Sequence, residues 1–163
     1  MPTTRPAGPR DAESIARIYN QGIEDRIATF ETDPRSSADI LTWFERKMPI
    51  IVVEDGNEIT AFASTSPYSE RCAYAGVVEF SVYVAREYRG EGLGKLAMQA
   101  LVDACHQAGY HKLTSRILAE NTASLKLMDS LSFDRVGLLR YHGKVDGVWK
   151  DCVNVEYVIK ANL

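Results

Sequence analysis

Several things are scarce in this chain, and each scarcity excludes something. Cysteine is limited to Cys72, Cys105 and Cys152. They are odd in number and far apart, so neither a disulfide framework nor the paired spacing of a zinc site is present. So few thiols suit a reducing compartment, and a cytoplasmic location is expected. Long apolar runs are missing: nothing approaches a membrane span, and Met1 to Arg10 lacks the apolar centre of a signal peptide. Charge of one sign is missing too. Lys plus Arg is 19 against 22 for Asp plus Glu, a net charge of -3, which argues against a dedicated nucleic-acid binder. There is no repeat, no low-complexity tract and no linker long enough to separate domains. No metal site and no membrane contact are expected. The 163 residues, 45% of them hydrophobic, suit one domain over 1–163 with a substantial core.

What is present reads as alternating strands and helices. Thr3 to Ala7 can form a first strand. Asp11 is placed as the N-cap of a helix carrying Ile15, Ile18 and Tyr19 at helical spacing, ending near Gly22. Ser36 or Ser37 caps a second helix with Ile40, Leu41 and Phe44 on one face. Ile50 to Val53 is a strand, turned at Asp55-Gly56-Asn57 into a return strand through Ile59 to Ser64. Val77 to Val84 is the most strand-like run. Leu93 to Ala108 reads as a helix with Leu93, Leu96, Ala97, Ala100, Leu101 and Ala104 toward the core, stopped by Gly109. His111 to Leu118 is a strand, and Asn121 caps a short helix to Leu131. Strands near Arg135 to Tyr141 and Asp151 to Ile159 flank a turn at Asp146-Gly147. The order βααβββαβαββ predicts an α/β chain (α+β by some schemes), a mixed central sheet with helices on both faces.

The sharpest chemical signal is Arg89-Gly90-Glu91-Gly92-Leu93-Gly94-Lys95, between the strand ending at Val84 and the helix opening at Leu93. Glycines there let several backbone N–H groups converge, and the helix dipole adds to them. Such a nest suits a phosphate or pyrophosphate; a tight turn without a ligand is the plainer alternative. A dinucleotide fingerprint would sit after the first strand, with an acid about twenty residues on. A Walker loop would need a hydroxyl after Gly94-Lys95, where Leu96 stands. Neither fits.

With Arg89-x-x-Gly92-x-Gly94 in place, the chain resembles the GCN5-related N-acetyltransferase superfamily, whose pyrophosphate loop has this pattern. Asn121-Thr122-Ala123-Ser124 followed by Leu131-Ser132-Phe133 resembles its later helix and strand. The likeness runs from Arg5 to Val158. Ile18-Tyr19-Asn20, Ala28-Thr29-Phe30-Glu31, Arg71-x-Ala73-Tyr74, Glu79-x-Ser81-Val82-Tyr83-Val84 and Gly147-x-Trp149-x-Asp151 resemble the phosphinothricin N-acetyltransferase branch. His142-Gly143-Lys144-x-Asp146-Gly147-Val148-Trp149-x-Asp151-Cys152 resembles its arsinothricin-resistance subgroup.

The resemblance implies the acyl-CoA N-acyltransferase fold and acetyl-CoA as cofactor. It makes Val82, Tyr83 and Val84 the strand that pairs with the pantetheine arm, beside a splay that opens the acetyl slot. It gives Arg89, Gly90, Glu91, Gly92, Leu93, Gly94 and Lys95 to the pyrophosphate, and Asn121 with Ser124 to the pantetheine. Glu79 matches the branch's general base, acting directly or through one water; a strand glutamate paired to an arginine is the plainer reading. His142 is a second titratable candidate, whereas His106 and His111 look structural. Arg71 and Tyr74, with Phe30 and Glu31 of the early segment, are implied acceptor-site residues, an arginine fork being suited to a carboxylate, phosphinate or arsinate. Trp149 and Asp151 either shape that site or brace a dimer, and a homodimer is implied.

The chain also departs from the family. Met128 stands where many members carry a tyrosine that protonates the leaving thiolate. Ser132-Phe133 replaces the usual Gly-Phe pair, and Val77 replaces a common threonine. The expected activity is acetyl transfer to the amine of a small amino acid or analogue such as phosphinothricin, arsinothricin or methionine sulfoximine, giving resistance or detoxification. Acetylation of a polyamine, an aminoglycoside or a protein N-terminus is the enzymatic alternative; an acyl-CoA-binding sensor without turnover is the other.

Overall fold

The computed structural model describes residues 1–163. Strands β1 (Thr3–Pro6), β2 (Ile50–Asp55), β3 (Glu58–Pro67), β4 (Val77–Val84), β5 (Lys112–Leu118), β6 (Asp134–Val145) and β7 (Val148–Val158) alternate with helices α1 (Ala12–Glu24), α2 (Ser37–Trp43), α3 (Leu93–Gln107) and α4 (Thr122–Ser130). They form one seven-stranded sheet in the order β1-β2-β3-β4-β5-β7-β6. Every pairing is antiparallel except β4 with β5. That exception follows from α3, which carries the chain back over the sheet between the two strands. The mixed sheet with helices on both faces is the expected architecture.

Strand alternation sends successive side chains to opposite faces, and each face has its own core. On one, Val78, Phe80 and Leu113 pack with Ala97, Met98 and Leu101 of α3 and with Leu125 and Met128 of α4. On the other, Val52 and Phe62 pack with Ile15 and Ile18 of α1 and Ile40 of α2. Burying the Val, Leu, Ile, Phe and Met side chains among these contributes about 1.5–3 kcal/mol apiece before the entropy of ordering is set against it. Of the two serines expected to cap α2, Ser36 does so, in a capping box: its hydroxyl accepts from the Asp39 N–H at 3.1 Å, and the Asp39 carboxylate accepts from the Ser36 N–H at 2.8 Å.

Some element details differ from the sequence reading. Leu96 is exposed, while Met98 and Cys105 are buried. The buried stripe of α3 follows Leu93, Ala97, Leu101 and Cys105 at four-residue steps, with Gly94 and Met98 beside it, so Leu96 turns to solvent. Helix α1 runs past Gly22 to Glu24. Gly22 leaves room for a neighbour: a Cβ there would lie 2.7 Å from the Tyr83 ring. The β6–β7 hairpin is longer than expected on both arms. Asp146 (φ 49°) and Gly147 (φ 79°) are both left-handed, the two-residue turn that lets pairing run to its edge, with Val145 opposite Val148.

Candidate active site

The site is built where β4 and β5 part. The strands are in register at Val77 with Lys112, Val78 with Leu113 and Glu79 with Thr114, and no further. Beyond Glu79, β4 stays paired to β3 up to Val84, and β5 stays paired to β7 up to Leu118. The gap between them is a wedge whose β4 edge has lost its partner. The Ala85 N–H points the other way, to the Thr60 carbonyl at 2.8 Å. Peptide groups alternate along a strand, so the N–H groups of Val82 and Val84 point into the wedge.

Three connected hollows follow. A groove of about 630 Å³ runs along the outer part of the wedge, lined by Val82, Tyr83, Val84, Arg89, Gly90, Gly92, Leu93, Gly94, Lys95, Asn121 and Ser124. An inner slot of about 360 Å³ shares Val82, Tyr83, Asn121 and Ser124 with the groove and adds Phe30, Glu79, Arg116, Met128 and His142. A third hollow of about 440 Å³ lies beyond, between Tyr68, Ser69, Glu79, Thr114, Arg116, Leu139, His142 and Asn154.

At the outer end the chain presents an anion nest. Gly90 (φ 84°) and Gly92 (φ 80°) are left-handed, a conformation glycine adopts without penalty. Gly92 stands at the N-cap of α3 with no side-chain cap. No backbone N–H from Gly90 to Lys95 is given to another backbone carbonyl; the first in the helix that is belongs to Leu96, bonded to the Gly92 carbonyl at 3.3 Å. A run of donors left over at the positive end of a fifteen-residue helix fits a phosphate group. Gly94 is closely surrounded as well: a Cβ there would meet Leu127 at 3.2 Å, Val84 at 3.5 Å and Val82 at 3.9 Å.

Of the residues expected at the cofactor, all but Glu91 line the groove. Tyr83 contributes mainly as a wall. Its ring lies on the α1 face, stacked on Phe62 at 5.4 Å and edge-on to Tyr19 at 5.1 Å, and burial raises its hydroxyl above the usual tyrosine range. Arg89 is held by Asp25 at 2.6 Å and reaches the Val84 carbonyl at 3.4 Å. Asp25 lies below the usual carboxylate range although burial alone would raise it, because Arg89 and Arg86 both bond to it. Asn121 is the helix cap, accepting from the Ser124 N–H at 3.3 Å, and its amide also lines both the groove and the slot.

At the inner end Glu79 stands at the last paired position, its side chain one-third exposed, 3.2 Å from Arg116 Nη2. The other terminal nitrogen of Arg116 is 3.5 Å from His142 Nε2. In the sequence Arg116 is one polar residue in a strand; only the pairing of β5 with β4 sets it beside Glu79. His142 arrives by an irregularity in the hairpin. The β6–β7 register shifts between Leu139 and Gly143, Tyr141 is left-handed (φ 49°), and its N–H donates to Asp151 Oδ1 at 2.8 Å. This bulge turns the strand so that His142 faces the slot. Asp151 acts there by anchoring the bulge. Phe30 lies over Gly143, where a Cβ would come within 2.7 Å of its ring, and it walls the slot.

Glu31, Arg71 and Tyr74 line none of the three hollows. Glu31 pairs with Arg35 at 3.0 Å. Arg71 is exposed beside Ser69, whose hydroxyl accepts its N–H at 3.2 Å. Tyr74 packs edge-on against Tyr68 at 5.7 Å. Met128 is 1% exposed and presents only apolar surface to the slot. His111 is packed against Gly76, as a structural histidine should be. Cys105 is pushed up to about 12 by burial, and burial raises Cys152 as well.

The Acetyltransferase (GNAT) family model matches residues 15–133. The chain belongs to that family. An L-methionine sulfoximine/L-methionine sulfone acetyltransferase of Pseudomonas paraeruginosa is 32% identical over 90% of this chain and 88% of its own. A putative acetyltransferase of Salmonella typhimurium, yncA, solved with its cofactor acetyl-CoA, superposes with a TM-score of 0.92 at 27% identity, over 97% of this chain and 94% of its own. A phosphinothricin acetyltransferase of Sinorhizobium meliloti in complex with AcCoA superposes with a TM-score of 0.89 at 30% identity, over 96% and 88%.

Proposed function

We propose that this protein is an acetyl-CoA-dependent N-acetyltransferase acting on the amine of a small amino acid or amino-acid analogue of the phosphinothricin and methionine sulfoximine kind. The observation that carries the proposal is the position of Glu79. It stands where β4 and β5 separate, on the wall shared by the slot and the hollow beyond it. A base at that junction serves an amine entering from one side and an acyl group held on the other.

The unpaired N–H groups of Gly90 to Lys95 suit the pyrophosphate, with Lys95 and Arg89 beside them. The free edge of β4 and the Asn121 amide suit the pantetheine arm, and Ser124 lies next to both. When bound, acetyl-CoA supplies the thioester whose acetyl group passes to the amine. Glu79 takes the ammonium proton of the acceptor, directly or through one water. The N–H groups of β4 that face the wedge are fixed donors for the developing negative oxygen. Met128 offers no proton, so the thiolate departs without acid help from that position. The raised Cys105 and Cys152 thiols leave no buried thiolate for a covalent route. Phe30 and His142 confine the acceptor amine, while Arg71 and Tyr74 bear on it only through their neighbours Ser69 and Tyr68, which line the third hollow.

A thiol-release assay with acetyl-CoA over a panel of amines tests this reading. Turnover should be highest with small amino acids and their sulfone, sulfoximine or phosphinate analogues. Turnover confined to polyamines, aminoglycosides or peptides would replace the acceptor class, and the absence of thiol release with every amine would favour a binding protein.

A further inference from the structure

We infer that Arg116 is the residue that makes this site select α-amino acids over other amines, by holding the acceptor's α-carboxylate while Glu79 takes its ammonium. The inference deepens the acceptor reading above and rests on it. It begins with the charge inventory. Among the side chains lining the slot and the hollow beyond it, Glu79 is the one carboxylate and Arg116 the one permanent cation. Arg71, the arginine that the family resemblance implies for an acidic acceptor, lines neither space.

The geometry gives the pair a direction. Glu79 is in register with Thr114, and Arg116 lies two residues further along β5, on the same face of the sheet. The carboxylate and the guanidinium therefore stand side by side, 3.2 Å apart, at the mouth of the slot. The free α-amino acid is a zwitterion whose ammonium and carboxylate are carried on one carbon. It meets this pair charge for charge, ammonium on Glu79 and carboxylate on Arg116, which sets the nitrogen toward the slot.

Arg116 has donors to spare. Glu79 engages one terminal nitrogen through a single contact, the other nitrogen is 3.5 Å from His142, and half of the side chain is open to solvent. A guanidinium presents five N–H donors in a fork matched to a carboxylate. A diamine would instead bring a second cation against Arg116, and a neutral amide would leave it with a weaker acceptor. The same residue that grips the right acceptor thus disfavours the wrong ones.

The test compares L-methionine sulfone with its α-carboxamide, in wild type, Arg116→Gln and Arg116→Lys. Acetyl-CoA binding, measured by calorimetry on each variant, reports whether the fold and the groove survive. Charged hydrogen bonds of this kind set the scale: Arg116→Gln should lower kcat/KM for the acid by roughly 10- to 100-fold, chiefly through KM. The carboxamide should change by less than about threefold, and Arg116→Lys should recover part of the loss. Equal losses on acid and carboxamide, or a loss confined to kcat, would mean that Arg116 acts only by positioning Glu79, and the inference would fall. A wild-type enzyme that acetylates other amines but neither methionine sulfone nor any free amino acid would overturn the acceptor reading itself.

Discussion

At the scale of single residues, the chain carries local costs that substitutions can expose. Ser132 holds a left-handed backbone (φ 63°) on the exposed turn before Phe133. That conformation costs an L-residue about 1–2 kcal/mol. Ser132→Gly should therefore stabilise the protein by about 1 kcal/mol after glycine's greater unfolded-state freedom is subtracted. Calorimetry should show a rise in Tm of about 2–4 °C, and a fall would contradict the strain argument. Asp11 makes the opposite case. It is buried and paired with Arg5 at 2.8 Å, and it accepts the Gly8 N–H at 2.9 Å. The Arg5 hydrogen bond holds its carboxyl below the usual carboxylate range despite burial. A depressed folded-state value means the stabilisation is full above the unfolded-state value of about 3.9 and is lost as pH falls through the folded one. Asp11→Asn should thus cost about 1–3 kcal/mol at neutral pH, less than a fully buried pair because Arg5 is partly exposed. The gap to wild type in urea melts should stay level above about pH 4 and close only in stronger acid.

At the scale of elements, the turn into α3 carries the cofactor reading. Gly94→Val would place branched carbon among Leu127, Val84 and Val82, where even a Cβ is tight, while the outer surface of the helix keeps its packing. Acetyl-CoA affinity should fall at least tenfold, about 1.4 kcal/mol, with circular dichroism unchanged; wild-type affinity would remove the groove from consideration. Much of this element was legible beforehand, because glycine spacing between an apolar strand and an amphipathic helix is a local signal. The bulge at residues 140–142 was not. Its causes are a left-handed Tyr141 and a carboxylate ten residues away in β7, and no short-range pattern joins them. Arg116 was hidden for the same reason: its meaning lies in the pairing of β5 with β4, two strands separated in sequence by α3. Leu96 falls outside the buried stripe of α3 because apolar character alone does not fix the rotation of the helix against the sheet.

At the scale of the whole molecule, the β6–β7 hairpin leaves apolar side chains without cover. Val136, Leu138, Tyr141, Val148 and Trp149 are all about half exposed or more, and β6 is an edge strand. Such a surface is commonly an interface, which supports the expected two-fold dimer. Light scattering should find twice the 18.2 kDa chain mass, and Val148→Asp should shift the population toward monomer; a wild-type monomer at working concentration would exclude the dimer. No helix is long and apolar enough to cross a membrane. The account as a whole turns on a base at the point where β4 and β5 part, and Glu79→Gln tests it most directly because it keeps the size and removes the base. With phosphinothricin or methionine sulfone as acceptor, turnover at neutral pH should fall by roughly 10- to 10,000-fold. Acetyl-CoA affinity should hardly change, and the deficit should narrow at high pH, where more acceptor arrives already neutral. Wild-type turnover by Glu79→Gln across that pH range would contradict the assignment and leave His142 as the next group to replace.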